Sequence, residues 1–389
     1  MITLALAGKP NCGKSTFFKA ATMANAEIAN YPFTTINPNF GVGYVRTKCP
    51  CRELNLTCGQ CVDGNRFVPV NLIDVAGLVP DAHKGKGLGN QFLDHLRQAD
   101  AILHIVDASG GTDSEGNPVG VGTHDPVEDI KFLGFEMTMW VYGILDKHWA
   151  KLYRQAQVKG FPIQQGVAEI FTGLGITSED VRDVEIALKI ELVHAKMEDL
   201  VPFCAEIVKI SKPMLLVGNK FDEAPQTLRT KLAELHISFA SAASELALRN
   251  AAAAHIIKYL PGDPQFVVQN EAALSAVQKA GLAKIAGVMK QCNGTGVQQV
   301  VNRAVFELLD MIVVYPVEDE NHYCDKKGQI LPDAFLMKKG STPHDLAFQV
   351  HTDIGKGFLY AVDARTKMRV KESHLLKDGD IIRIVSAAK

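Results

Sequence analysis

The chain has 389 residues, of which 47% are apolar and 22% charged, with a formal net charge of −2. That length exceeds one ordinary core, so two or three domains are expected. Near-neutral charge speaks against a strongly basic nucleic-acid binder, though a local basic face can hide in the average, and no run approaches the roughly 18–20 apolar residues of a membrane helix.

Residues 2–7 read as a buried strand, and the opening MITLALA lacks the basic leader and cleavage-like site of a signal peptide. A cytoplasmic protein is expected. Next come Gly8, Lys9, Pro10, Asn11, Cys12, Gly13, Lys14, Ser15 and Thr16, which fit the phosphate-loop pattern GxxxxGK[ST]. Glycines at that spacing let the backbone curl until successive N–H groups face phosphate oxygens. Lys14 adds a positive charge for the β- and γ-phosphates, and the Ser15 hydroxyl suits Mg²⁺. Residues 14–23 read as a helix whose N-terminus attracts anions.

In NYPFTTINPNFG a threonine can close the Mg²⁺ shell when a γ-phosphate is present; Thr35 is favoured and Thr34 stands second. The plain alternative is that both begin a strand near residues 41–45. KCPCRELNLTCGQC then sets Cys49, Cys51, Cys58 and Cys61 in a C-x-C-x6-C-x2-C array. Four thiolates can enclose a tetrahedral Zn²⁺, and the closing C-x2-C is a zinc-knuckle spacing. Free thiols, or disulfides where intracellular proteins are oxidised, are the alternatives.

Strand 67–73 ends in Asp74-Val75-Ala76-Gly77, similar to the DxxG of GTPases, in which the carboxylate holds Mg²⁺ through water and the glycine N–H senses the γ-phosphate. The following position, where Ras-like enzymes place a water-orienting glutamine, is Leu78. An apolar side chain cannot orient water, so slow turnover is expected. His83 is a candidate to approach the γ-phosphate or the water, against the simpler reading of a solvated loop histidine.

Strand 101–106 follows. The gap from Asp74 to Asn219 is far longer than a minimal G domain requires, and residues 111–200 carry helical apolar spacing, so a helical hairpin or small bundle projecting from the domain is expected. Strand 214–217 delivers Asn219, Lys220 and Asp222 at its carboxyl end, where open α/β sheets bind ligands. A carboxylate there accepts from both N1–H and N2–H₂ of guanine, a donor pair adenine lacks. The Lys220 stem can lie against the base. Strand 237–240 leads to Ser241, Ala242 and Ala243, similar to the loop whose backbone N–H meets guanine O6. A helix over 244–259 closes the G domain, and residues 264–309 read as helical, broken by CNGTG.

Taken together, KPNCGKSTFFKA, YPFTTINPN and DVAGLVPDAHKGKGLGNQFLDHLRQAD resemble the Obg-related GTPases of the YchF type, and HKGKGLG is similar to that family's second switch. The C-terminal KKGSTPHDLAFQVHTDIGKGFLYAVDA…LKDGDIIRIV is similar to a TGS domain, a ubiquitin-like β-grasp module, with strands expected at 311–316 and 381–385. The resemblance implies a doubly wound, mostly parallel P-loop NTPase G domain (1–110 and 201–263), the helical insertion (111–200), a helical connector (264–310) and a β-grasp domain (311–389). It implies GTP or GDP with Mg²⁺, and ribosomes, RNA or translation factors as partners through the TGS-like domain; Asn11 matches the asparagine that in some relatives helps coordinate K⁺ beside the phosphates, the alternative being that it only shapes the loop. From Asn321 onward Lys and Arg outnumber acidic residues, weak support for an RNA contact. Many YchF-type relatives carry an altered base motif and prefer ATP; the intact NKFD here argues for GTP. A non-enzymatic ribosome- or RNA-binding adaptor that keeps GTP for stability, and an ATPase of the same family, are the competing readings.

Overall fold

The computed structural model describes residues 1–22, 40–75, 77, 96–158 and 160–387. The expectations for Thr34, Thr35, Leu78 and His83 fall outside the described residues.

Six strands form the central sheet: β1 (Thr3–Ala7), β2 (Phe40–Lys48), β3 (Asn65–Asp74), β4 (Ala101–Asp107), β5 (Met214–Asn219) and β6 (Ser238–Phe239), in the order β2-β3-β1-β4-β5-β6. Neighbours run parallel except β2 with β3. Sequence pattern explains the positions. β4 is buried at every residue, as a parallel strand covered on both faces must be. β2 alternates buried and half-buried positions along most of its length, as suits an antiparallel edge. The carboxyl ends of β1, β3, β4 and β5 therefore meet at one rim, the usual crevice of a doubly wound sheet.

Helix Lys14–Thr22 covers one face through Phe17, Phe18, Ala20 and Ala21. Helices of the insertion cover the other face. Helix Pro126–Ala156, whose N-cap Asp125 accepts from Val127 N at 3.1 Å, and helix Met197–Ser211 pack directly on the sheet. Leu133, Met137, Phe203 and Ile207 share one core with Ala5, Ile73 and Ile102, and helices Ile163–Ile170 and Ser178–Leu188 extend it. Helices Ile163–Ile170 and Ser178–Leu188 pack mainly on the two long helices and on each other, so residues 111–200 form a small helical bundle seated on the sheet through Leu133 and Met137, and the boundary at 200/201 falls inside helix Met197–Ser211. Helical periodicity marks an apolar face but not the surface it covers, whereas a parallel β4-to-β5 crossover requires a covering helix.

Helix Ala242–Ala253 stops short of 259: His255 turns left-handed (φ +54°), and β7 (Ile257–Lys258) pairs with β8 (Val267–Val268). Helix Ala276–Cys292 starts on a reciprocal Ser275/Gln278 cap and ends at left-handed Asn293; helix Val297–Arg303 and one π turn (Ala304–Leu308) lead on. The C-terminal sheet, β9 (Met311–Val317), β10 (Phe335–Lys338), β11 (Phe358–Asp363), β12 (Met368–Val370) and β13 (Ile381–Ser386), has the order β10-β9-β13-β11-β12, with β9 and β13 parallel. Helix Pro343–Val350 packs on it through Leu346, which completes a β-grasp. Among the described residues no helix is long and apolar enough to cross a membrane.

Candidate nucleotide site

The loop between β1 and helix Lys14–Thr22 is closed on itself. Lys14 Nζ donates to Lys9 O at 2.7 Å, and both side chains are buried. Gly13 sits at φ +92°, and a Cβ there would meet Asn219 Nδ2 at 2.2 Å, so only glycine lets the loop approach the base motif. Ser15 and Thr16 lie in the first helical turn, where N–H groups have no intrahelical acceptor. Ser15 is exposed at the rim. Gly77 lies against Pro10: a Cβ on it would come within 2.9 Å of the proline ring and nitrogen. Asp74 ends β3 in register with Leu6, so the carboxylate expected to reach Mg²⁺ through water shares the rim with Ser15.

Two loop residues depart from expectation. The Lys9 side chain does not face the phosphate space. Its side chain is 1% exposed; the ammonium donates to Thr112 O at 2.7 Å and pairs with Asp129 at 2.8 Å, leaving only its backbone to the loop. Asp129 also takes His124 Nε2 at 2.9 Å. Buried ammonium groups need a partner, and the crossover helix supplies one. Asn11, left-handed at φ +58°, donates through Nδ2 to Gly116 O at 2.9 Å, so the loop after β4 lies over the phosphate loop. Cys12 is fully buried, and burial pushes its thiol up.

Asn219 is a strut. Its Nδ2 donates to Cys12 O (3.1 Å) and its Oδ1 accepts from Ala242 N (3.1 Å), which ties phosphate loop to base loop. Lys220, left-handed at φ +59°, pairs with Asp107 at 2.8 Å. Asp107 is fully buried and also accepts from Ser109 Oγ (2.6 Å) and Thr112 Oγ1 (2.9 Å). Burial alone would raise its pKa, but the Lys220 ammonium and these hydroxyls together lower it, so the pair is ionic. Asp222 accepts from Ser241 Oγ at 2.6 Å and has Lys284 Nζ at 3.7 Å, its side chain 12% exposed. Ala243 is exposed in the first turn of helix Ala242–Ala253, where N–H groups lack intrahelical partners. The CNGTG break also belongs here: Ser241 N donates to Thr295 O (2.8 Å), and Thr295 Oγ1 donates to the buried Glu245.

Sequence reading missed Asp107, Asp129, Lys284 and Thr295. Asp107 alone had a local signal, a carboxylate at the carboxyl end of the strand beside the base motif. The four cysteines lie elsewhere, beyond the amino end of β3 at the β2–β3 tip; their sulfurs fall within 4.8 Å of one another.

Comparison with known proteins agrees with this geometry. The 50S ribosome-binding GTPase family matches residues 3–127, the G4 motif-containing domain of the Obg-like GTPase YGR210-like family matches 217–319, and the TGS domain matches 321–386. A GTP-binding protein of Methanocaldococcus jannaschii is 48% identical over 398 aligned positions, spanning all of both chains. A crystal structure of a GTP-binding protein from Pyrococcus horikoshii OT3 is 40% identical, covers 99% of this chain and 100% of that one, and has a TM-score of 0.77. The ribosome-binding ATPase YchF of Bacillus subtilis is 28% identical over 98% of each chain. The chain belongs to the Obg-related, YchF-type family of P-loop GTP- and ATP-binding proteins, and it ends, as they do, in a TGS domain.

Proposed function

We propose that the protein is a slow GTPase that acts as a nucleotide-dependent switch on ribosomes or translation factors in the cytoplasm. One observation carries the choice of base. Asp222 stands just past the carboxyl end of β5, largely shielded, its carboxylate positioned by Ser241, while Asn219 ties that corner to the phosphate loop. Guanine offers N1–H and N2–H₂ to such a carboxylate; adenine offers no matching pair. The Bacillus subtilis relative is named an ATPase, and the intact carboxylate at position 222 is what favours GTP here.

Mg²⁺ fits the donor set: the Ser15 hydroxyl and the Asp74 carboxylate share one rim, and Thr35, outside the described residues, is the third group that the sequence offers. The ion would neutralise charge on the β- and γ-phosphates. Lys14 must exchange Lys9 O for a phosphate oxygen, so ligand entry opens the closed loop. With Leu78 at the glutamine position, hydrolysis leans on charge rather than on an oriented water. A K⁺ ion coordinated by the Asn11 amide oxygen, and His83, which lies outside the described residues, are the two candidate sources of added rate. The TGS domain supplies the surface for ribosome or RNA.

Asp222→Asn tests the reading. Losing two charge-assisted bonds should weaken GTP about 10²–10⁴-fold, and xanthosine triphosphate, with a carbonyl at C2 for the new amide, should bind better than GTP. Unchanged GTP affinity refutes it. Single-turnover hydrolysis with and without K⁺ and ribosomes separates a switch from an adaptor: acceleration supports the former, none the latter.

A further inference from the structure

We propose that Cys49, Cys51, Cys58 and Cys61 hold a structural Zn²⁺ that clasps the β2–β3 tip where the C-terminal domain docks. The β2–β3 ladder runs in unbroken register from Phe40↔Ile73 to Lys48↔Asn65, and the cluster begins at the next residue. Cys49 and Cys58 sulfurs lie 3.8 Å apart, Cys51 and Cys61 sulfurs 3.6 Å, and all four sit within 4.8 Å of one another. A tetrahedron with metal–sulfur bonds of about 2.3 Å has edges of about 3.8 Å. Four sulfurs converge on one point, whereas two disulfides would need only two separate pairs.

The local backbone suits a thiolate knuckle. Gly59 takes φ +65°, which turns the Cys58–Cys61 segment, and Gln60 N donates to Cys58 Sγ at 3.4 Å. An N–H aimed at sulfur favours the thiolate, the form a metal binds. Cys49, Cys51 and Cys58 are buried in one core with Tyr315, Leu331 and Ala334 of the C-terminal domain. The Tyr315 hydroxyl is buried without a partner among the described residues, so a donor stands in the same core as the sulfurs. Four soft thiolates in a tetrahedral array select Zn²⁺, with iron the main competitor. Binding releases the four thiol protons.

The site is structural. Nine residues of β3 lie between it and Asp74, about 30 Å at strand rise. Around it Arg66 Nη1 and Nη2 donate to Leu331 O (3.1 Å) and Pro332 O (2.8 Å), and Arg365 pairs with Glu53 at 2.9 Å. The metal therefore stiffens a dock between domains and takes no part in nucleotide chemistry.

Elemental analysis of the purified full chain, with no chelator used, tests this directly. About one zinc per chain is expected, falling at least tenfold in a Cys58→Ser/Cys61→Ser variant and unchanged in Cys292→Ser. In denaturant with chelator but no reductant, all eight thiols should titrate. No metal with eight thiols, only four thiols (two disulfides), or iron with a visible absorption band each overturns the proposal. None of these readings depends on nucleotide binding.

Discussion

At the carboxyl rim of the central sheet the charged groups are held by one another or by the backbone: Lys9 with Asp129, half-buried Lys220 with Asp107, Lys14 on a backbone carbonyl. Beyond the amino end of β3, at the β2–β3 tip, the buried groups are thiols, aliphatic side chains, the Tyr315 phenol and one guanidinium, Arg66, bonded to the carbonyls of Leu331 and Pro332. The difference is instructive. Under the proposed function, the Lys14 bond to a backbone carbonyl can be exchanged for one to phosphate at modest net change, because the bond lost is replaced by another, while the Lys9–Asp129 pair stays in place. Apolar packing and fixed carbonyl bonds at the tip have no substitute, so that end can only stay docked or come apart. The proposed ligand-binding rim is thus carried on a base fixed by apolar packing and carbonyl bonds.

Substitutions can break this contrast, beginning with the largest effect. Asp129→Asn leaves the Lys9 ammonium buried with a carbonyl but no counter-charge; unfolding in urea should show a loss of about 3–5 kcal/mol. A loss below 1 kcal/mol would mean the rim charges are not stabilised by each other. Arg66→Ala leaves two interdomain carbonyls unpaired and should cost about 2–4 kcal/mol. The signature that distinguishes the tip from the rim is splitting of one calorimetric transition into two, with nucleotide affinity little changed. A single transition and a weakened nucleotide complex would contradict the division.

The smallest effect is a pH dependence at the rim. Burial first, and the neighbouring Lys14 charge second, push the His104 imidazole down to about 3. Above about pH 6.5, the ordinary value, folded and unfolded chains both hold it neutral and it contributes no slope. Between 6.5 and 3 only the unfolded chain takes the proton, so stability falls as pH falls through that window. His104→Gln should flatten the curve between pH 6.5 and 5 relative to the wild type. An unchanged slope would assign the acid sensitivity to other groups.

What could be read from sequence was whatever is local. Phosphate loop, DxxG, NKFD and the serine–alanine loop each combine a short pattern with a strand end, and each strand appears within a few residues of expectation. The partners of those residues were not legible. Asp129 lies 120 positions from Lys9, and Asp107 lies 113 from Lys220; pairings at that separation leave no periodic trace. The same holds for helix Met197–Ser211, whose apolar face announces a helix but not the sheet beneath it. β7 and β8, two residues each, are too short to pattern. The cysteines were visible as a spacing, but their seat against Tyr315 and Leu331 depends on a domain that begins some 250 residues later.

The central claim is that Asp222 chooses the base. Titration calorimetry of the purified chain with GDP, GTP, ADP and ATP in excess Mg²⁺ tests it most directly. The account predicts guanine nucleotides bound at least about 100-fold more tightly than adenine ones. Equal affinity, or tighter ATP, would contradict it.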